Sequence, residues 1–580
     1  MSFLDYIVFG LYLLGTLGLG AFFYFRNKTS KDMFSAGGEA PWWVSGLSGF
    51  MTLFSAATFV VWGGLAYKHG IVALSINMCY GIAALAAGYF IAGRWKALGV
   101  DTPSEYISLR FGDAAVQFYI WVMLAFRIVG SAVSLYGLAV LLVPLMPLSD
   151  GHILQSEETG FLSVEWAIFL LGLIVVFYTM AGGLWAVLMT DVVQFIILSL
   201  SVVFVVVLLL IDVGGINSVI ERAPPQFFDL VNDEFTWYFL VAWCLINFVT
   251  VGGEWAFAQR FISVRNVGEA KKSAYLISAL YLVSPVIWLA PTLIYRIVNP
   301  DANPEQAYIL ASITVLPVGM VGMMAAALFS ATASMVSSQL NVFAGALTYQ
   351  FYQARIKPAA SEAELIWVGR FASVIIGALL IGIALLIPNF GGAAKVVISK
   401  AILIVVPLML PAVWGLFSSS ISSRSVWVVA GTSVFVGVVL KGLFLEGGLL
   451  AEVEYLVNFS HWVQNSQRLV DILIGVVLPI FVMSILQIRS KGVDEGWRRV
   501  EAIEPKIETR PIASIYDSTP AWIVVIALGV SAAIMIVIAL LTEENRRELM
   551  VFVGVLLAIG LIVLRSNFKM NDAKQKLTRL

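Results

Sequence analysis

Fifteen stretches of this chain are nearly free of charge, and each is about as long as the hydrocarbon layer of a bilayer is thick. They lie at about 3–25, 41–66, 71–92, 115–146, 162–180, 184–212, 236–258, 274–297, 307–349, 364–387, 396–417, 425–445, 468–488, 521–541 and 549–565. A helix needs about 20 apolar residues to cross that layer. With 60% of residues hydrophobic, 12% charged and a mean hydropathy of +0.92, too few polar groups remain to cover a soluble globule of this size. The expected class is an all-α polytopic membrane protein with about fifteen transmembrane helices.

The basic residues orient it. With the N-terminus outside, the inner loops are 26–40, 93–114, 181–183, 259–273, 350–363, 418–424 and 489–520, with the tail from Arg565. They hold 24 of the 35 Lys and Arg, against 7 in the outer loops and at the outer ends of spans. That asymmetry predicts an outside N-terminus, a cytoplasmic C-terminus and a plasma (inner) membrane location. Arg127, Arg370, Lys400 and Lys441 fall within spans. Lys400 lies near enough to the outer end of its span to snorkel. The first block has no basic leader or small-residue cleavage site and reads as a retained span.

Net charge is −1, which gives no electrostatic case for nucleic acid. Cys79 and Cys244 both sit in spans and suggest neither a disulfide framework nor a metal cluster. His69, His152 and His461 fall in outer loops without metal-ligand spacing, and no GxxxxGK[ST] phosphate loop is present. The expectation is no enzyme and no organic cofactor, leaving secondary transport, a channel or a membrane-embedded sensor.

No soluble domain interrupts the chain. Residues 1–490 form a transmembrane core, 491–520 a charged cytoplasmic linker, and 521–580 two further spans with a basic tail. The outer loops 147–161 and 446–467 each have room for a small helix. Two spans are rich in glycine: the second (GLSGFMTLFSAATFVVWGG) and the seventh (NFVTVGGEWAFAQR, with Gly252–Gly253). Carriers built from inverted repeats bind their cargo where such helices break near the midplane. The two lie five spans apart, as two inverted halves at about 41–212 and 236–417 require. Gly is also common at ordinary helix contacts.

In the ninth span Ser334, Ser337, Ser338 and Asn341 follow i, i+3, i+4, i+7 spacing, with Thr332 beside them. Such hydroxyls either bond their own helix or line a wet cavity or ion path.

Five motifs occur in order: DMFSAGGEAPWWVSGLS (32–48), TPSEYISLRFG (102–112), YTMAGGLWAVLMTDVVQ (178–194), AQRFISVRNVGEAKKSA (258–274) and LPVGMVGMMAAALFSATASMVSSQLN (316–341). Together they resemble the sodium:solute symporter family of sodium-coupled glucose, proline and pantothenate carriers, over roughly residues 1–490. The resemblance implies a LeuT-like core of five plus five helices, with spans 14 and 15 as additions. Gly182–Gly183 reads as a tight inner turn. Asp191, about 10 Å further along, and Gln194 then have two readings: the inner route by which the ion leaves, or hydrogen bonds that hold the inner gate shut.

The family pattern maps the Na+ ligands onto the carbonyls of Met51, Phe54 and Ala331 and the hydroxyl of Ser334. A second hydroxyl is usual at the next position, where this chain has Met335, a soft ligand for a hard cation. Either water, Thr52 or Ser55 replaces it, or Na+ coupling is weakened or lost. The pattern also implies substrate contacts at Thr58, Asn77, Asn247, Glu254 and Trp255, with Trp62 and Trp255 either closing over the solute or packing. Arg127, deep in span 4, needs an anionic partner: a substrate carboxylate, or Glu254 in a structural pair. The partners implied are a small organic solute (sugar, amino acid, carboxylate or vitamin), Na+ and the bilayer. The leading expectation is inward Na+ symport by alternating access. Its rivals are an uncoupled or proton-coupled carrier of the same fold and a transporter-like solute sensor, the latter disfavoured by a tail with no output domain.

Overall fold

The computed structural model describes residues 2–26, 40–157, 159–387, 393–444, 450, 453, 455–503, 519–541 and 546–577, with the backbone alone in stretches such as 178–186 and 393–402. In chain order the helices used below are α1 (Phe3–Arg26), α2 (Trp42–Met51), α3 (Val72–Ala97), α4 (Pro103–Phe111), α5 (Asp113–Leu142), α6 (Val164–Val213), α7 (Trp237–Gly253) and α8 (Trp255–Ser263). After them come α9 (Val267–Val298), α10 (Met320–Ala346), α11 (Glu362–Leu386), α12 (Ala393–Gly415), α13 (Arg424–Phe444), α14 (Gln467–Arg489), α15 (Glu495–Glu501), α16 (Thr519–Leu541) and α17 (Arg546–Leu577). Among the described residues eight helices are long and apolar enough to cross a membrane, or nine if the bent pair α7–α8 counts as one span.

α10 is the axis of the bundle. Every one of its residues is buried, and it packs on α1, α5, α6 and α11. Its N-terminus is capped from α1, where the Asp5 carboxylate accepts from the Gly319 and Gly322 amides at 2.7 and 2.9 Å. These are amides that a helix leaves without internal partners. Several helices start on side-chain caps. Thr102 opens α4 by accepting from the Glu105 amide, and Glu105 reaches back to the Asp101 amide. Asn266 opens α9 in the same reciprocal way with Glu269.

Small residues let the two broken spans pack tightly. A Cβ at Gly49 would sit 2.5 Å from Ile277 of α9, and one at Gly253 would sit 2.7 Å from Val413 of α12. These contacts hold both breaks against neighbouring helices.

Several expectations change. The block 307–349 divides into Ala307–Val315 and α10, because Gly319 takes a φ of 85° between them. Gly182–Gly183 does not interrupt the helix, which runs from Val164 to Val213. Glycine inside a helix costs about 1 kcal/mol relative to alanine and need not end it. The loop 147–161 carries bridges Pro147–Phe161 and Gln155–Leu162 in place of a helix, whereas Val457–Asn465 is the small helix expected in the other loop.

The start of the 491–520 linker is docked. Asp494 ion-pairs with Arg110 at 2.8 Å, and the Arg110 guanidinium also donates to the Ser418 and Ile421 carbonyls. Lys441, inside α13, is matched by Asp471 at 2.6 Å. The Lys400 side chain lies outside the described residues.

Candidate functional site

Both glycine-rich spans are broken, and α10 runs beside both breaks. In the first, α2 stops at Met51 and a helix resumes at Thr58. The freed carbonyls are partly used: Ser48 accepts from the Thr52 hydroxyl, Met51 from the Phe54 amide and Phe50 from the Tyr281 hydroxyl. Across the gap Ser55 donates its amide to the Thr58 hydroxyl, and Ala56 donates to Thr332 of α10 at 2.9 Å. In the second, Glu254 is extended (φ −69°, ψ 132°), and α8 leaves α7 at 52°. Its carboxylate accepts from Gln339 of α10 at 2.7 Å and pairs with Arg127 of α5 at 2.6 Å.

Between the breaks and the ends of the spans that the charge pattern places outside lies a cavity of about 550 Å³. Thr58, Arg127 and Asn247 line it, together with Trp62, Tyr80, Trp243 and Met335. Glu254 sits behind Arg127, 1% exposed. Two expected contacts lie elsewhere. The bend at Glu254 turns Trp255 onto Phe343 of α10, with ring centroids 5.8 Å apart, so Trp62 meets Trp243 across 6.1 Å instead. Asn77 is buried in α3 and donates to its own Ala73 carbonyl. Trp243 was legible in principle, since it precedes Asn247 by one helical turn.

On the other side of the breaks the path is shut. Ser48 of α2 donates a short hydrogen bond to Asp191 of α6. Arg260 of α8 donates to Ser48 at 3.1 Å and to Ser338 of α10 at 2.6 Å, and its guanidinium lies 3.9 Å from the Asp191 carboxylate. Asp191 and Arg260 are both 0% exposed. Four helices thus meet on one buried ion pair, and breaking such a pair typically costs about 3–5 kcal/mol. Arg260, counted in sequence as an inner-loop charge, is the residue that sequence reasoning missed. Gln194 lies one turn beyond Asp191, buried, with neither amide atom partnered among the described residues.

α10 also presents Ser334, 1% exposed, whose hydroxyl has no partner among the described residues. A buried hydroxyl left so costs about 1–3 kcal/mol, which an oxygen-seeking cation would offset. Ser334 is two residues past Thr332, which bonds the first break. Ala331 is fully buried beside it. Met335 faces the other way, into the cavity, with its sulfur 4.0 Å from the Ser131 hydroxyl.

The sequence model of the sodium:solute symporter family matches residues 33–426. The sodium/sialic acid symporter NanT of Aliivibrio fischeri is 28% identical over 397 residues, covering 65% of this chain and 75% of that protein. The sodium/glucose cotransporter of Vibrio parahaemolyticus is 26% identical over 441 residues, covering 68% and 76%. A solved Na+-coupled sialic acid symporter, substrate-bound and outward-open, shares the fold with a TM-score of 0.66 at 23% identity, covering 84% of this chain and 97% of that one. With its two broken helices and central α10 on a fold shared with that carrier, this membrane protein belongs to the sodium:solute symporter family.

Proposed function

We propose that this protein imports a small organic solute together with Na+ by alternating access, in a plasma (inner) membrane, with its N-terminus outside. The observation that carries the reading is the asymmetry about the two breaks: a cavity on one side and a fully buried Asp191–Arg260 pair on the other. That is the arrangement of an outward-facing carrier whose inner gate is closed. Release to the inside then requires α2 and α8 to part from α6 and α10, which opens the network of Ser48, Asp191, Arg260 and Ser338.

Na+ is held by the carbonyls of Met51, Phe54 and Ala331 and the hydroxyl of Ser334. A broken helix offers carbonyl oxygens of the kind a hard cation takes, and the unpartnered Ser334 hydroxyl supports this placement. With the ion bound, the first break is fixed against α10 and the cavity wall at Thr58 is set for the solute. Asp191 and Gln194 lie along the inner exit. The relatives named above carry sialic acid and glucose with sodium, which supports an organic cargo. The test is uptake of labelled solutes into proteoliposomes with and without an inward Na+ gradient. Gradient-dependent accumulation is expected; a rate unchanged by Na+ would point to an uncoupled carrier.

A further inference from the structure

We propose that residues 223–235 form a pH-sensitive strap on the cavity side of the protein, latched by neutral His69 and released by acid. The latch itself needs neither cargo nor Na+; its bearing on transport rests on the carrier reading above.

The strap joins the far arms of both broken spans. The first arm ends in the short helix Gly64–His69, and the strap runs directly into α7, the arm of the second. Two ties hold it. In the first, the Ile71 amide donates to the Phe227 carbonyl at 2.9 Å. Gly70 beside it has a φ of 65°, and a Cβ there would sit 1.9 Å from the Phe227 oxygen. Gln226 is the one non-glycine among the described residues with a positive φ, 62°, a conformation that persists only where the surroundings impose it. The second tie is His69. Its Nδ1 lies 3.3 Å from Asn232 Nδ2, and its ring packs edge-on to Phe235 with centroids 5.7 Å apart.

The second tie has one polarity. Asn232 Oδ1 accepts from the Glu234 and Phe235 amides at 3.0 and 2.7 Å, so the side chain is fixed and presents its NH2 group to the ring. A donor there requires a bare nitrogen at His69 Nδ1. Protonation sets an N–H against the NH2 group, and the hydrogen bond becomes a clash of two donors. Among the described residues the charged groups facing the ring are Glu234 on the strap, Arg468 on α14 and Lys68 on its own helix. Glu234 Oε2 lies 3.8 Å from His69 Nε2, but the carboxylate is half exposed and its other oxygen is held by Arg468. It therefore offsets little of the cost of charging the ring. Desolvation lowers the His69 pKa from its ordinary 6.5, Glu234 opposes the shift, and Lys68 and Arg468 add to it. A base whose pKa is lowered in the latched state supports the latch when neutral. The latch thus holds above about pH 6.5 and weakens as the pH falls below it. Once it is released, the two arms are no longer tied at their ends, so acid on that face acts where the cavity must close.

The experiment is hydrogen–deuterium exchange of the full-length protein in lipid nanodiscs, read by mass spectrometry. It compares about pH 7.5 with about pH 5.5, one unit either side of the ordinary His value, after correction for the intrinsic exchange rate at each. Local opening sets the exchange of the Ile71, Asn232, Glu234 and Phe235 amides, all hydrogen-bonded in the strap. In wild type, corrected exchange of the peptides carrying them should rise severalfold at the lower pH. Its ceiling is about tenfold, the ratio of charged to neutral free histidine one unit below the ordinary pKa. H69N keeps an acceptor at the Nδ1 position and cannot titrate, so its acid response should vanish. N232D replaces the NH2 group by an oxygen that accepts from the charged ring, so its strap should exchange more slowly at the lower pH than at the higher. No acid response in wild type, a wild-type response in H69N, or a response of wild-type sign in N232D overturns the proposal. None of these outcomes bears on Na+ or cargo, and failure of the carrier reading would leave the latch as it stands.

Discussion

Arg127 and Glu254, 2.6 Å apart, define the residue scale. Arg127→Gln leaves Glu254 buried with Gln339 as its remaining partner, so it should destabilise the protein by about 3–5 kcal/mol, read as a lower unfolding midpoint. Adding Glu254→Gln should recover most of that loss, because no buried charge is then unpaired. A double variant no more stable than Arg127→Gln would show that the pair does not hold the bend. Ser334→Ala is predicted to weaken the apparent Na+ affinity of transport about tenfold, the equivalent of about 1.4 kcal/mol, in a Na+ titration at fixed solute. An unchanged titration would remove Ser334 from the ion site. Met335→Ser should act mainly on the solute constant, since that side chain lines the cavity.

On the proposed mechanism α2 and α8, the arms of the broken spans on the side of the Asp191–Arg260 pair, are the elements that must move. Ser45 is buried, its hydroxyl on the Arg260 carbonyl. On a background lacking Cys79 and Cys244, a cysteine at position 45 should resist an impermeant maleimide applied from the inner face. It should become reactive when Asp191→Asn and Arg260→Gln are combined, because that removes the ion pair without stranding either charge. Equal labelling in both backgrounds would mean that the pair does not close the gate.

The breaks themselves were legible in sequence, since glycine and small hydroxyl residues inside apolar blocks are what a broken membrane helix needs. Thr58 and Asn247 came from the family resemblance and Arg127 from its depth in span 4, and all three line the cavity. Arg260 was not legible. At the end of an apolar run a basic residue reads as a topology signal, and only the packing of four helices shows it 0% exposed. The orientation of Trp255 was hidden too, because the 52° bend at Glu254 resets the helical phase that spacing arguments rely on.

Over the whole molecule the account predicts a fixed orientation. A reporter fused after Leu580 should be cytoplasmic. A cysteine at Ile153, 85% exposed in the loop between α5 and α6, should react with an impermeant reagent on intact cells. Labelling only after permeabilisation would invert the topology and with it the direction of transport.

The central claim is that the first break and α10 together hold Na+. The most direct test needs no solute: thermal unfolding of the purified protein titrated with NaCl against choline chloride, for wild type and Ser334→Ala. Mass action gives about 2.7 kcal/mol of stabilisation at a hundredfold excess over Kd. The account predicts a saturable, Na+-specific rise in midpoint for wild type, shifted to about tenfold higher Na+ in the variant. Superimposable curves in the two salts for the wild-type protein would contradict it.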